Sequence, residues 1–208
     1  MSRRRRNAIF CACFLFAAGL ILLDRNRFKH RSLPTNVLPE KQRSLDLEKY
    51  HGRVFFVIKV VDGDTLDIDI PDGKYGHTRI RLWGIDTPET KKPGSPVMYF
   101  GPEASNFATK LALNKRVRVF VDETKDTRDK FGRLLAYIQL PDDRFLNEVL
   151  ISEGFAYADL RFDHSLYYKY ISLESAARSI KRGLWKEVTR DQIPTWLQKE
   201  KPKLLLKK

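Results

Sequence analysis

The sequence predicts an α+β fold: a five-stranded Greek-key β-barrel with about three helices, preceded by an apolar N-terminal helix. Three observations predict it. Between residues 53 and 140 the chain alternates apolar and polar residues in separate strand-length stretches. These stretches run as three strands, a helical segment, and two further strands. Ahead of them, the uncharged run AIFCACFLFAAGLILL at 8–23 follows four arginines, Arg3–Arg6.

Residues 1–23 read as a membrane anchor or a signal segment. As a helix, the run spans roughly 24 Å at about 1.5 Å per residue, short of a hydrocarbon core of about 30 Å. Arginines at both ends can snorkel to cover the difference. Ala17-Ala18-Gly19 lies inside the run and no small-residue cleavage site follows it, which favours an uncleaved anchor over secretion. The folded domain is then expected outside the cytoplasm, although basic residues flank both sides of the run and leave orientation open. Cys11 and Cys13 are the two cysteines and both fall in this run, so the folded part has no disulfide framework. Residues 24–50, polar and interrupted by Pro34 and Pro39, read as a linker.

A barrel domain is expected over 51–187. Arg53–Val61 is the first strand, Thr65–Ile70 the second and Thr78–Trp83 the third, the last with Ile80 and Leu82 on one face and Arg79 and Arg81 on the other. A loop from Asp86 to Phe100 leads to Pro102, placed where a first helical turn accepts proline, and Ala104, Phe107, Ala108 and Leu111 follow at helical spacing. Val117–Val121 and Leu134–Leu140 are the fourth and fifth strands. Phe145–Glu153 and Ser165–Arg182 are helices stopped by Gly154 and Gly183. Three strands, a helix and two strands is the order of an OB-type barrel, whose loops and one strand face take nucleic acids or oligosaccharides. Fold alone names no function. Residues 188–208 read as a basic, solvated tail. The formal charge of +13 divides as about +7 before residue 51, +3 over 51–190 and +3 beyond, so most of the excess lies in the ends. A basic balance of that kind suits membrane surfaces as well as nucleic acid.

Inside this basic chain, acids gather at strand ends. Asp62-Gly63-Asp64 reads as a hairpin turn, for which Asp-Gly is favoured. The stretch RIRLWGIDTPET at 79–90 adds Arg81, Asp86 and Glu89, and RDKFGRLLAY at 128–137 places Arg133 where the fifth strand begins. Phosphodiester hydrolysis uses such groups. Asp64, Asp86 and the Thr87 carbonyl suit a hard cation, which takes oxygen ligands and offsets phosphate charge while holding the attacking water. Glu89 can orient that water or take its proton. Arg81 and Arg133 can meet the growing phosphoryl charge with paired N–H bonds, and Asp62 can order water around the ion. Arg79 reads as a rim ion pair, and His51, His77 and His164 lack ligand spacing.

From about Gly52 to Trp185 the chain resembles the staphylococcal (thermonuclease) family of nucleases. The motifs are DGDT at 62–65, RLWGIDTPET at 81–90, YFGPEAS at 99–105, DKFGR at 129–133 and GLW at 183–185. The resemblance implies an OB-type barrel and one Ca²⁺ held by Asp64, Asp86 and the Thr87 carbonyl. It implies cleavage of DNA and RNA, single-stranded or flexible by preference, leaving 3′-phosphate ends. Glu89 takes the role of base, and Arg81 and Arg133 that of phosphate-binding electrophiles. Leu160 and Phe162 stand where the family's best-known member has tyrosines, and Ser95 where it has a lysine. Tyr99, Lys130, Phe131 and Phe162 are the candidate substrate contacts, the aromatics as stacking surfaces. A monomer is expected. The rival reading is an OB module that binds nucleic acid or protein without cutting it.

Overall fold

The computed structural model describes residues 40–90 and 97–205. The apolar run 8–23, the linker up to residue 39 and Ser95 lie outside these residues. No helix among the described residues is long and apolar enough to cross a membrane.

Strands β1 (Arg53–Asp62), β2 (Thr65–Ile68), β3 (Thr78–Leu82), β5 (Arg116–Phe120) and β6 (Leu134–Gln139) close a barrel in the order β1-β2-β3-β6-β5. β1 serves two neighbours. Its first half pairs with β5 and its second with β2, and register shifts between Val57 and Lys59 and between Val60 and Asp62 turn it from one to the other. The only parallel pair of the barrel is β3 with β6, which sets Arg81 opposite Leu135. Two short strands, β4 (Ile85–Asp86) and β7 (Tyr157–Ala158), form a separate antiparallel pair.

Val57, Leu66, Ile68, Ile80, Leu82, Val117, Val119, Leu134 and Ile138 fill the barrel, each at most 2 % exposed. The expected alternation in β3 holds, with Ile80 and Leu82 inward. β2 departs from it: Asp67 is buried as well, because Arg79 takes both its oxygens at 2.8 and 2.9 Å. Asn147 closes the barrel end. Its carbonyl oxygen accepts the Ile138 N–H at 3.0 Å, and its amide donates to the Trp83 and Ala136 carbonyls.

Five α-helices are present among the described residues: α1 (Glu40–Tyr50), α2 (Gly101–Ala112), α3 (Leu146–Ser152), α4 (Tyr167–Ser179) and α5 (Thr195–Glu200). α2, α3 and α4 are the three expected ones. Phe107 of α2 stacks on Phe155 with centroids 4.0 Å apart, while Ala104, Ala108 and Ala112 are buried. α1 corrects the linker, whose last eleven residues form a helix. α1 brings only Leu47 and Tyr50 to the apolar core. It docks through Asp46 and Tyr50, four residues apart and so on one face. Asp46 accepts from Arg128 Nη2 at 2.6 Å, Arg128 Nε at 2.9 Å and Thr127 Oγ1 at 2.7 Å.

α5 corrects the solvated tail. Val188, Ile193 and Leu197 are buried in a second apolar cluster with Tyr157, Ala177, Leu184 and Trp185. Val188 and Ile193 lie outside the short helical turns and only Leu197 lies within α5, so no periodicity announces the three.

Candidate active site

The β1–β2 turn is tight because Asp62 pairs directly with Thr65, leaving Gly63-Asp64 as its two-residue tip. A side chain at Gly63 would have its first carbon 2.8 Å from Thr87 Oγ1, so glycine lets the turn lie against the loop after β4. Asp64 is only 5 % exposed. Its Oδ2 accepts the Thr87 N–H at 2.9 Å and the Thr87 hydroxyl at 3.1 Å, while Oδ1 accepts the Thr65 hydroxyl at 3.0 Å.

Arg81, on the polar face of β3, joins the two acids. Its Nη1 pairs with Asp64 and its Nη2 with Asp86 at 2.6 Å, and Nη2 also donates to the Ile85 carbonyl at 3.1 Å. Two carboxylates therefore share one guanidinium. Asp86 has further partners, since its Oδ2 accepts the Trp196 indole N–H at 2.8 Å and its Oδ1 lies 3.4 Å from Arg161 Nη2. Arg161 is itself forked onto Asp159 at 2.8 and 2.7 Å. Burial works against its charge, but Asp159 and Asp86 outweigh that and raise its pKa.

Asp62 and Glu89 meet through Thr90. The Thr90 hydroxyl donates to Asp62 Oδ1 at 2.8 Å, and the Thr90 N–H donates to Glu89 Oε1 at 3.1 Å. Asp62 thereby anchors the loop that carries Glu89.

Arg133 stands in a second group, on the loop before β6. Its Nε donates to Asp129 Oδ2 at 2.6 Å, and its guanidinium lies 5.4 Å from the Phe131 ring centroid. Lys130 reaches over the same ring at 5.0 Å, and Phe131 is 72 % exposed. Asp129, Phe131 and Arg133 edge a groove of about 590 Å³, lined also by Lys74, Tyr75, His77 and Arg79, that does not include Arg81, Asp64 or Asp86.

The other expected contacts divide. Phe162 is exposed on one side and packs on Trp83, with centroids 5.7 Å apart, under the Arg161 guanidinium. Tyr99 packs against Phe100 and the second apolar cluster, and burial raises its phenol above the ordinary range. Leu160 joins the same cluster. Arg161, Trp196, Asp129 and Thr90 were absent from the sequence-based set. Thr90 lies in the quoted motif and Asp129 four residues before Arg133, so proximity could have found those two. Arg161 and Trp196 lie outside the acidic motifs, and nothing in their spacing points to Asp86.

The family model described as staphylococcal nuclease homologue matches residues 79–187, just over half the chain. The chain belongs to the staphylococcal nuclease family. Two thermonucleases are similar to it. That of Staphylococcus hyicus is 38 % identical over 144 residues, covering 69 % of this chain and 82 % of its own length. That of Staphylococcus intermedius is 46 % identical over 120 residues, covering 58 % and 66 %. The endonuclease YncB of Bacillus subtilis is 36 % identical over 129 residues, covering 61 % and 59 %. The barrel and the motif-bearing strand ends described above are thus those of a staphylococcal nuclease family member.

Proposed function

We propose that this protein is a Ca²⁺-dependent, sugar-nonspecific nuclease that hydrolyses phosphodiester bonds in DNA and RNA and leaves 3′-phosphate ends. The observation that carries the reading is the sharing of Arg81 by Asp64 and Asp86. Two acids brought together around one cation are a site built for positive charge. The donor set is all oxygen, namely the two carboxylates and the Thr87 carbonyl, which suits a hard divalent ion that completes its shell with water and phosphate. Among the described residues there is no group of three or more His, Cys, Asp and Glu able to hold a metal, so backbone and substrate oxygens must supply the rest. When bound, Ca²⁺ would offset phosphate charge and polarise water.

The protein's own groups do the remainder. Once the carboxylates have another cation, Arg81 is free to fork onto a phosphate oxygen pair. Arg133, oriented by Asp129, meets the phosphate from the loop that leads into the neighbouring strand β6. Glu89, on the loop tied down by Asp62 and Thr90, orients the attacking water and takes its proton. Phe131 and Phe162 offer exposed ring faces, which accept bases only where a strand is single or easily unstacked. Residues 8–23, behind four arginines, anchor or export the enzyme so that the barrel acts outside the cytoplasm.

The test is incubation of the purified protein with heat-denatured DNA in Ca²⁺ or in chelator. Cleavage in Ca²⁺ alone, with 3′-phosphate products, is the expected result. Protein that takes up Ca²⁺ and single-stranded DNA yet leaves the DNA intact would identify a binding module instead.

A further inference from the structure

We propose that Trp196 is a positioning residue of the active site, and that residues 188–205 are a working part of the enzyme. The inference rests on the reading of Asp64 and Asp86 as Ca²⁺ ligands.

The bonds around Asp86 divide by oxygen. Oδ1 faces Arg81 at 2.6 Å, within the cluster shared with Asp64, while Oδ2 accepts the Trp196 indole N–H at 2.8 Å. Fixing one oxygen fixes the plane of the carboxylate and so the direction of the other. An indole N–H is suited to the task, because it donates one bond and accepts none. It also brings no charge to compete with a cation, as a lysine or arginine would.

The ring is held where it is needed. The Arg161 guanidinium lies 4.7 Å from its centroid, and Asp159 clamps that guanidinium with two bonds. Leu197, next in sequence, is wholly buried, and Ile193 is 2 % exposed. Lys201 Nζ donates to Glu174 at 2.5 Å, and Glu174 is completely buried on α4. Arg190 closes the segment by donating to the Leu204 carbonyl at 3.0 Å. A further comparison lies within the chain. Of its three tryptophans, Trp83 and Trp185 bury their indole nitrogens with no hydrogen-bond partner among the described residues, whereas Trp196 aims its own at a candidate metal ligand.

The experiment is calorimetric titration of the full chain with Ca²⁺, wild type against Trp196→Phe, which leaves a smaller aromatic face for Arg161 but removes the N–H. Removing a group that orients a metal ligand weakens metal binding about 10- to 100-fold. A roughly tenfold weaker Ca²⁺ affinity with an unchanged thermal melt in chelator is expected. A merely structural role would lower that melt and leave Ca²⁺ affinity alone, and equal affinity in the two proteins overturns the proposal. Should Trp196→Phe fail to fold, the wild type decides the matter through its indole N–H resonances. Ca²⁺ must shift the Trp196 signal, and a signal that stays in place through saturation overturns the inference. A wild type that takes up no Ca²⁺ overturns both this inference and the reading it rests on.

Discussion

Arg81 holds two acids at once, and that arrangement defines how single residues here are to be tested. Glu89 is partly buried on a loop fixed by Thr90 and Asp62, so replacing its carboxylate by an amide leaves the fold its anchors. Glu89→Gln should lower kcat by about 10²- to 10⁴-fold, the usual yield of general-base catalysis, with the melting temperature little changed. Gly63→Ala acts differently. Its new methyl would meet Thr87 Oγ1 at 2.8 Å, so either the turn or Thr87 must shift, and Asp64 loses part of its hydrogen-bond support. We expect a destabilisation of about 1–3 kcal/mol, measurable by denaturant titration, together with weaker Ca²⁺ binding. At this scale the neighbourhoods legible in the sequence were those of Arg81 with Asp64 and Asp86, and of Asp62 with the loop that carries Glu89, because these residues lie at or near the ends of successive strands. Trp196 was illegible because 110 residues separate it from Asp86 and only the packing of the C-terminal segment joins them.

Among the elements, α1 and α5 escaped prediction for related reasons. α1 docks by charge, and its buried face holds Asp46 where a periodicity search looks for leucine. The pair it makes with Arg128 is nearly solvent-free, with side-chain exposures of 8 % and 2 %. Burial opposes the guanidinium's charge, but Asp46 and Asp72 more than offset this and hold its pKa above the ordinary value. Removing Asp46 leaves the buried Arg128 still paired with Asp72, which is itself partly exposed. Asp46→Ala should therefore cost about 1.5–3 kcal/mol in denaturant unfolding, the worth of a charged hydrogen bond, and more than substitution at the exposed Glu40 on the same helix. α5 depends on isolated apolar residues, a pattern too short to show a period. Helices α2, α3 and α4 were legible from their proline and glycine boundaries.

Across the whole molecule, strand number and order were legible because each barrel strand alternates cleanly or is bounded by turn residues. The β4–β7 pair was not, at two residues per strand. Stability should also carry a molecular signature in pH. Burial lowers the His164 pKa to about 4. Its Nδ1 accepts the Leu166 N–H at 3.2 Å, a bond that a protonated nitrogen cannot accept. At Asp122 burial acts to raise the pKa, yet bonds from Ser165 and Thr124 prevail and lower it. The unfolded chain therefore takes up a proton on His164 near pH 6.5 that the folded chain refuses until about pH 4. Stability should be full above the unfolded value and fall as pH drops through that window. The loss from His164 is on the order of 3 kcal/mol, at about 1.36 kcal/mol per unit, and Asp122 adds to it at more acid pH. Melting temperatures across that range in chelator check the sign, and replacing His164 by Gln should flatten the curve.

The bond between Trp196 and Asp86 also orders events in time. Synthesis delivers the barrel first, and every strand of it has been made before residue 140. The Trp196 donor to Asp86 is made more than fifty residues after the last barrel strand, so a nascent chain that has emerged only as far as β6 carries the five barrel strands without the bond that fixes this carboxylate.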